Sequence, residues 1–201
     1  MIAVVMPDTG PLISLARIRR LDLIDRFNSQ ILITDAVQVE LMDGPEDAPD
    51  LAVLTEWIAR GENRIRVVET TYGALLKQNR ELLQFVPEKE RARFRRRSKI
   101  QDAGENAIRE MADELRNTLS RDATALVLFE DANVMKMDFG PHVRVMTTWS
   151  FAMALERLEV IPSANELFDR IEETGRTPPR YVFDSRGEEG REDFEDSYDI
   201  S

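Results

Sequence analysis

Apolar residues in this chain fall into short unbroken runs separated by stretches of helical periodicity. Residues 2–6 (Ile-Ala-Val-Val-Met) form the first run, closed by Pro7, as expected of a buried parallel strand covered on both faces. Further strands are expected at Ile31–Ile33, at Ala125–Phe129 and, more weakly, at Val143–Met146. Arg64–Val68 carries alternating charges that would suit a sheet edge. Between the runs lie helical patterns at Leu21–Phe27, Ala36–Met42, Leu51–Arg60, Tyr72–Phe85 and Ala103–Leu115. In the last of these, Ala107, Ile108, Met111, Ala112 and Leu115 make one stripe. Thr34-Asp35 can cap the helix after the second strand, and Ser163-Ala-Asn-Glu166 is a capping-box pattern opening a helix to about Ile171. Strands alternating with helices predict an α/β fold, a three-layer α/β/α sandwich around a mostly parallel sheet.

Beyond Gly175 and Pro178-Pro179 the pattern fades. Residues 184–199 hold eight acids and two arginines, and the expectation is an acidic, flexible tail over 175–201. The main domain is placed at 1–174, with a helical insertion near 70–100. That insertion carries Arg91, Arg93, Arg95, Arg96, Arg97 and Lys99 with no acid among them, although the chain as a whole has a net charge of −11. No apolar run is long enough to span a membrane, and the Met-Ile-Ala-Val-Val-Met start is too short for a signal segment, so no membrane partner and a cytoplasmic location are expected.

Composition also limits the chemistry. The chain has no cysteine and one histidine, His142 in a Gly-Pro-His turn. Thiol nucleophiles, Cys-ligated zinc and multi-histidine metal sites are excluded. Ligands of open α/β sheets sit at the carboxyl ends of the strands, and in this chain those positions are acidic or hydroxylic. Asp8 follows the first strand, and Glu40 lies on the helix launched by the second. Asp102 and Glu105 open the Ala103 helix, Glu130-Asp131 follow the third long run, and Thr147-Thr148 close the fourth. Carboxylates gathered from distant stretches suit hard divalent cations such as Mg²⁺ or Mn²⁺. An aspartyl-phosphate phosphatase would need a second aspartate two residues after Asp8, where Gly10 stands.

Val4-Val5-Met6-Pro7-Asp8-Thr9-Gly10-Pro11-Leu12-Ile13-Ser14-Leu15, Ile33-Thr34-Asp35-Ala36-Val37 leading to Glu40-Leu41, Gly104-Glu105-Asn106-Ala107-Ile108 and Leu126–Asp131 together carry a resemblance to the PIN-domain nucleases, particularly the toxin branch of toxin–antitoxin pairs. It implies a catalytic, metal-binding quartet of Asp8, Glu40, Glu105 and Asp131, with Asp102, Glu130 and Thr148 as secondary candidates. It also implies an Mg²⁺- or Mn²⁺-dependent endoribonuclease, with RNA, an antitoxin protein and a second copy of the chain as partners. The departures are Glu130-Asp131 in place of two aspartates, Trp149 at a turn where a small residue is usual, and an insertion and tail with no counterpart.

Each acid also has a structural reading. Asp8 could cap a helix or make an Asx turn, Asp102 with Glu105 could form a cap pair, Glu40 could be an exposed helix residue, and Glu130-Asp131 could open a helix. The basic run could be a solvated helix face instead of an RNA grip, and a PIN-like protein with a weak metal site could act by binding alone, through the basic insertion and acidic tail.

Overall fold

The computed structural model describes residues 1–42, 49–61, 63–98, 100 and 102–200. Five strands form one sheet: β1 (Ile2–Pro7), β2 (Gln30–Thr34), β3 (Ile65–Val68), β4 (Thr124–Phe129) and β5 (Val143–Thr147). Their order is β3-β2-β1-β4-β5, and every pairing is parallel. The burial of β1 and β4 on both faces follows from their continuous apolar runs, whereas Ile65–Val68 is an edge strand with Arg66 and Val67 facing out.

Chain order runs outward from β1 in both directions, towards β2 and β3 on one side and β4 and β5 on the other. Right-handed crossovers must then lie on opposite faces, which produces the three-layer α/β/α arrangement expected. The reversal opens a crevice between the carboxyl ends of β1 and β4.

The helices are α1 (Thr9–Arg17), α2 (Asp22–Asp25), α3 (Asp35–Met42), α4 (Pro49–Arg60), α5 (Thr71–Gln84), α6 (Glu88–Ser98), α7 (Ala103–Leu115), α8 (Thr148–Arg157), α9 (Ala164–Glu173) and α10 (Arg191–Glu195). Helices α3, α5 and α7 pack on one another, and α9 packs on α1 and α8. Thr34, as expected, caps α3 by accepting from the Val37 amide, but the buried Asp35 carboxylate serves another helix. Its Oδ1 accepts from the Thr70 amide (2.9 Å) and hydroxyl (2.8 Å), and its Oδ2 pairs with Lys77 Nζ at 2.9 Å. Helix α5 therefore starts on a pin from the carboxyl end of β2. Ser163 caps α9 through the Glu166 amide. Among the described residues no helix is long and apolar enough to cross a membrane.

Two expectations fail. The Leu21–Phe27 pattern yields only the four-residue α2, because Phe27 turns inward to bridge Tyr198. The larger correction concerns the tail, which is packed rather than flexible. Residues 183–185 lie antiparallel to β5, where the Thr147 amide donates to Phe183 O and the Ser185 amide to Val145 O. Arg144, 1 % exposed, is held there by both carboxylate oxygens of Asp184, with its guanidinium over the Phe194 ring. Phe194 and Tyr198 complete an aromatic cluster with Phe27 and Phe151. Three of the eight acids that suggested disorder are paired with arginines: Asp184 with Arg144, Asp193 with Arg186, Glu195 with Arg191.

Candidate active site

Asp8 stands where β1 becomes α1. Its amide donates to Leu128 O at 2.9 Å and so prolongs the β1–β4 ladder by one rung, bringing it beside the end of β4. It occupies the N-cap position of α1, yet its side chain makes no capping hydrogen bond. Capping therefore does not explain this aspartate. The residue is 7 % exposed. Burial pushes its carboxyl up to about 7; the Thr9 amide opposes the shift, and the charges of Glu105, Glu40 and Glu130 add to it.

Glu40 arrives from α3, and its Oε2 accepts from the Thr9 hydroxyl at 2.7 Å. It is thus held towards Asp8 rather than left on an outer helix face. Both carboxylates lie against Gly104 in the first turn of α7. A Cβ at that glycine would stand 3.1 Å from Glu40 Oε2 and 3.4 Å from Asp8 Oδ1. Glu105 follows on the same turn, half-buried. Burial raises its pKa, its own amide lowers it, and Asp102, Glu40 and Asp131 raise it further. Asp131, beyond β4, is exposed; its Oδ1 accepts from the Asn133 amide at 2.8 Å.

Asp8, Glu40, Glu105, Glu130 and Asp131 line one cleft of about 660 Å³, together with Gly10, Arg17 and the Gly175–Pro179 segment. All members of the expected quartet share this cleft. The secondary candidates fare differently. Glu130, expected as a lesser member, is buried at the floor, and its Oε1 accepts from Ser14 (2.7 Å) and Thr148 (3.2 Å). The Thr148 hydroxyl is thus directed at Glu130. Asp102 adopts the left-handed conformation (φ 51°) and makes no side-chain cap bond, so the expected cap pair with Glu105 does not form.

Sequence reasoning missed the wall of the cleft. Gly175-Arg-Thr-Pro-Pro reads as a break between elements, but it folds back over the strand ends and inserts Arg176. The only signal was a cation within an otherwise breaker-like stretch. The basic run lies elsewhere, on α6, which packs on α5. Arg91, Arg93, Arg95 and Arg96 are exposed there, and none of them lines the cleft. The Arg97 side chain and Lys99 fall outside the described residues.

The donor set is all oxygen and strongly acidic, as a hard divalent cation requires. The Gly104 surface, free of a Cβ, leaves room beside two carboxylates. Among the described residues no three acids converge closely enough to enclose an ion. That arrangement fits Mg²⁺, which commonly takes one or two protein carboxylates and keeps several waters. Asp8 and Glu40 would be the nearest holders, with Glu105 and Asp131 across the cleft. The Gly104→Ala variant tests this placement. Its methyl group would push the two carboxylates by a few tenths of an ångström while suiting the helix, so Mn²⁺ affinity should fall by about 10-fold at unchanged far-UV circular dichroism. An affinity equal to wild type would place the ion elsewhere.

The molecule is thus a parallel α/β/α sandwich with a carboxylate-lined cleft at its switch point. Residues 4–90 match a family described as a PIN domain, which supports placing the chain in the PIN-domain family, whose members are generally nucleases that use divalent metals. The match covers Asp8 and Glu40; the place of Glu105, Glu130 and Asp131 rests on the geometry above. No curated protein and no solved structure matches the chain.

Proposed function

We propose that this protein is a metal-dependent ribonuclease. The observation that carries the reading is the cleft itself, where a buried Asp8 faces Glu40, Glu105 and Glu130 with its carboxyl pushed up to about 7. Burial and the neighbouring charges disfavour the ionised form of Asp8, and a cation beside it would offset that cost. A divalent ion, when bound, supplies charge for the scissile phosphate and acidity for an attacking water. Asp8 and Glu40 hold that charge, Thr9 fixes the orientation of Glu40, and Glu105 and Asp131 face the same space from α7 and from beyond β4. No histidine and no protein nucleophile is needed.

RNA as substrate, the toxin role, an antitoxin partner and self-association come from the sequence resemblance. The α6 arginines supply the phosphate contacts in this reading. The lack of three converging carboxylates among the described residues favours a second reading, a PIN-like binding protein with weak catalysis. Labelled RNA incubated with Mn²⁺, with and without chelator, separates the two: chelator-sensitive cleavage is expected, and tight binding without cleavage would overturn the enzyme reading. Reversing two exposed charges, Arg93→Glu with Arg96→Glu, should also lower the slope of log affinity against log salt by about 2, since each phosphate contact contributes about 0.9, or about 0.7 on single strands. An unchanged slope would remove α6 from the RNA interface.

A further inference from the structure

Five carboxylates line the cleft, but they do not meet the same surroundings. Glu130 is the one whose two oxygens are both engaged. Its Oε1 accepts from Ser14 and Thr148, and its Oε2 accepts from Arg176 Nη2 at 2.6 Å. The guanidinium is fixed on two further sides: Nε donates to Ser14 Oγ at 2.7 Å, and Nη2 donates to Gly10 O at 3.3 Å. Gly10 is part of the fit, because a Cβ there would stand 2.9 Å from Glu130 Cβ. The other cation at the rim, Arg17, is turned away, with Nε 3.6 Å from Asp50 Oδ1 and Nη1 donating to Thr174 O at 3.4 Å. Among the described residues Asp8, by contrast, receives only the Thr9 amide, and Glu40 only the Thr9 hydroxyl.

A planar guanidinium that bonds along three directions and sits against a buried carboxylate is a fixed positive charge. An ion coordinated by Glu130 Oε2 would have to displace that bond and leave a part-buried arginine without its counter-charge, which is unfavourable. Two-metal phosphodiesterase sites place their ions roughly 3.5–4 Å apart and bridge them with shared carboxylates. At the end of β4 in this protein, the Glu130 carboxylate is already paired with the chain's own cation, Arg176.

We infer that the cleft is a single-ion site, in which Arg176 takes the place of a second cation and positions Glu130 so that it does not coordinate metal. The inference rests on the metal-dependent reading above and deepens it by setting the number of ions and separating Glu130 from Asp131. Asp131, one residue further on and facing solvent, remains on the metal-facing side of the cleft. Arg176 is accordingly a positioning residue, acting through Glu130.

Mn²⁺ stoichiometry tests this directly, by titration calorimetry and by the electron paramagnetic resonance signal of free Mn²⁺, on the full chain. Wild type should bind one ion. Arg176→Met, which keeps bulk and removes charge, should bind two, the added ion being the weaker. The Arg176→Met/Glu130→Gln double variant should return to one, because the released carboxylate is gone. Glu130→Gln alone should bind one ion with an affinity within about threefold of wild type, a difference of about 0.7 kcal/mol. If Arg176→Met does not fold, the single Glu130→Gln variant decides, since a loss of more than about 10-fold, or about 1.4 kcal/mol, would make Glu130 a ligand. Two ions in wild type, or one ion in a folded Arg176→Met, overturns the inference and leaves the nuclease reading standing. No Mn²⁺ bound by wild type removes both.

Discussion

Asp8→Asn is expected to abolish Mn²⁺-dependent RNA cleavage, lowering it by at least about 100-fold, more than the loss of an outer-shell partner usually costs. The same substitution should stabilise the metal-free protein. The folded state holds the Asp8 carboxyl at about 7 against 3.8 for the ordinary group. The folded chain therefore binds this proton more tightly than the unfolded chain, and stability falls as pH rises through that window. Above pH 7 the full penalty is present, on the order of 4 kcal/mol. Asparagine carries no such penalty. In chelator at pH 8 the variant should melt above wild type by roughly 8–16 °C, at about 2–4 °C per kcal/mol for a chain of this size, and the difference should vanish near pH 4. Mn²⁺ at 100-fold over Kd should narrow the difference, since binding contributes about 2.7 kcal/mol to wild type against a penalty of about 4 kcal/mol. Thermal melts of both proteins at two pH values, with and without Mn²⁺, check every sign. Equal Mn²⁺ stabilisation of both would remove Asp8 from the site.

The second large effect lies far from the cleft. Phe194→Ala should destabilise the chain by about 3–5 kcal/mol, the usual cost of emptying a buried phenylalanine site. The Phe194 ring is 2 % exposed and packs edge-on to Phe27 at 5.3 Å and face-on to Tyr198 at 5.6 Å. Removing residues 181–200 would uncover the whole cluster, strip the edge of β5 and leave the buried Arg144 without Asp184. That truncated chain should fail to give a cooperative melt. A truncation that melts like the full chain would show the segment to be an appendage, as its composition suggests. Urea denaturation of Phe194→Ala gives the single-residue figure.

The contrast between these two regions shows what could be seen in the sequence. The strands at 2–7 and 124–129 were legible because a strand buried on both faces must be apolar throughout, and an edge strand such as 65–68 tolerates Arg66. A group of acids was legible because strand ends in a parallel sheet point to one crevice, and the family resemblance was needed to single out Asp8, Glu40, Glu105 and Asp131 among them. Their surroundings were not. Whether Asp8 caps its helix, or Asp102 caps the next, depends on a side-chain torsion that local sequence leaves open. The role of Glu130 depends on Arg176, 46 residues away, in a stretch whose local signals are all of chain reversal. The tail misled for a related reason. Average polarity over 184–199 conceals that two aromatic residues suffice to anchor a segment when the domain has left them a matching gap, and that partners for Asp184 and Asp193 are supplied by Arg144 and Arg186.

The hydrogen bond from the Ile2 amide to Ser197 Oγ, 2.7 Å long, spans nearly the whole chain. Together with the Phe27–Tyr198 bridge it closes the amino end of the central strand with the last aromatic to be made. On the ribosome, β1 emerges first, but it lacks β4 until residue 129 and this clasp until residue 198. Contacts between such distant stretches form slowly, so a chain arrested at residue 180 would carry all five strands and every acid of the cleft without the clasp that anchors the amino end of β1.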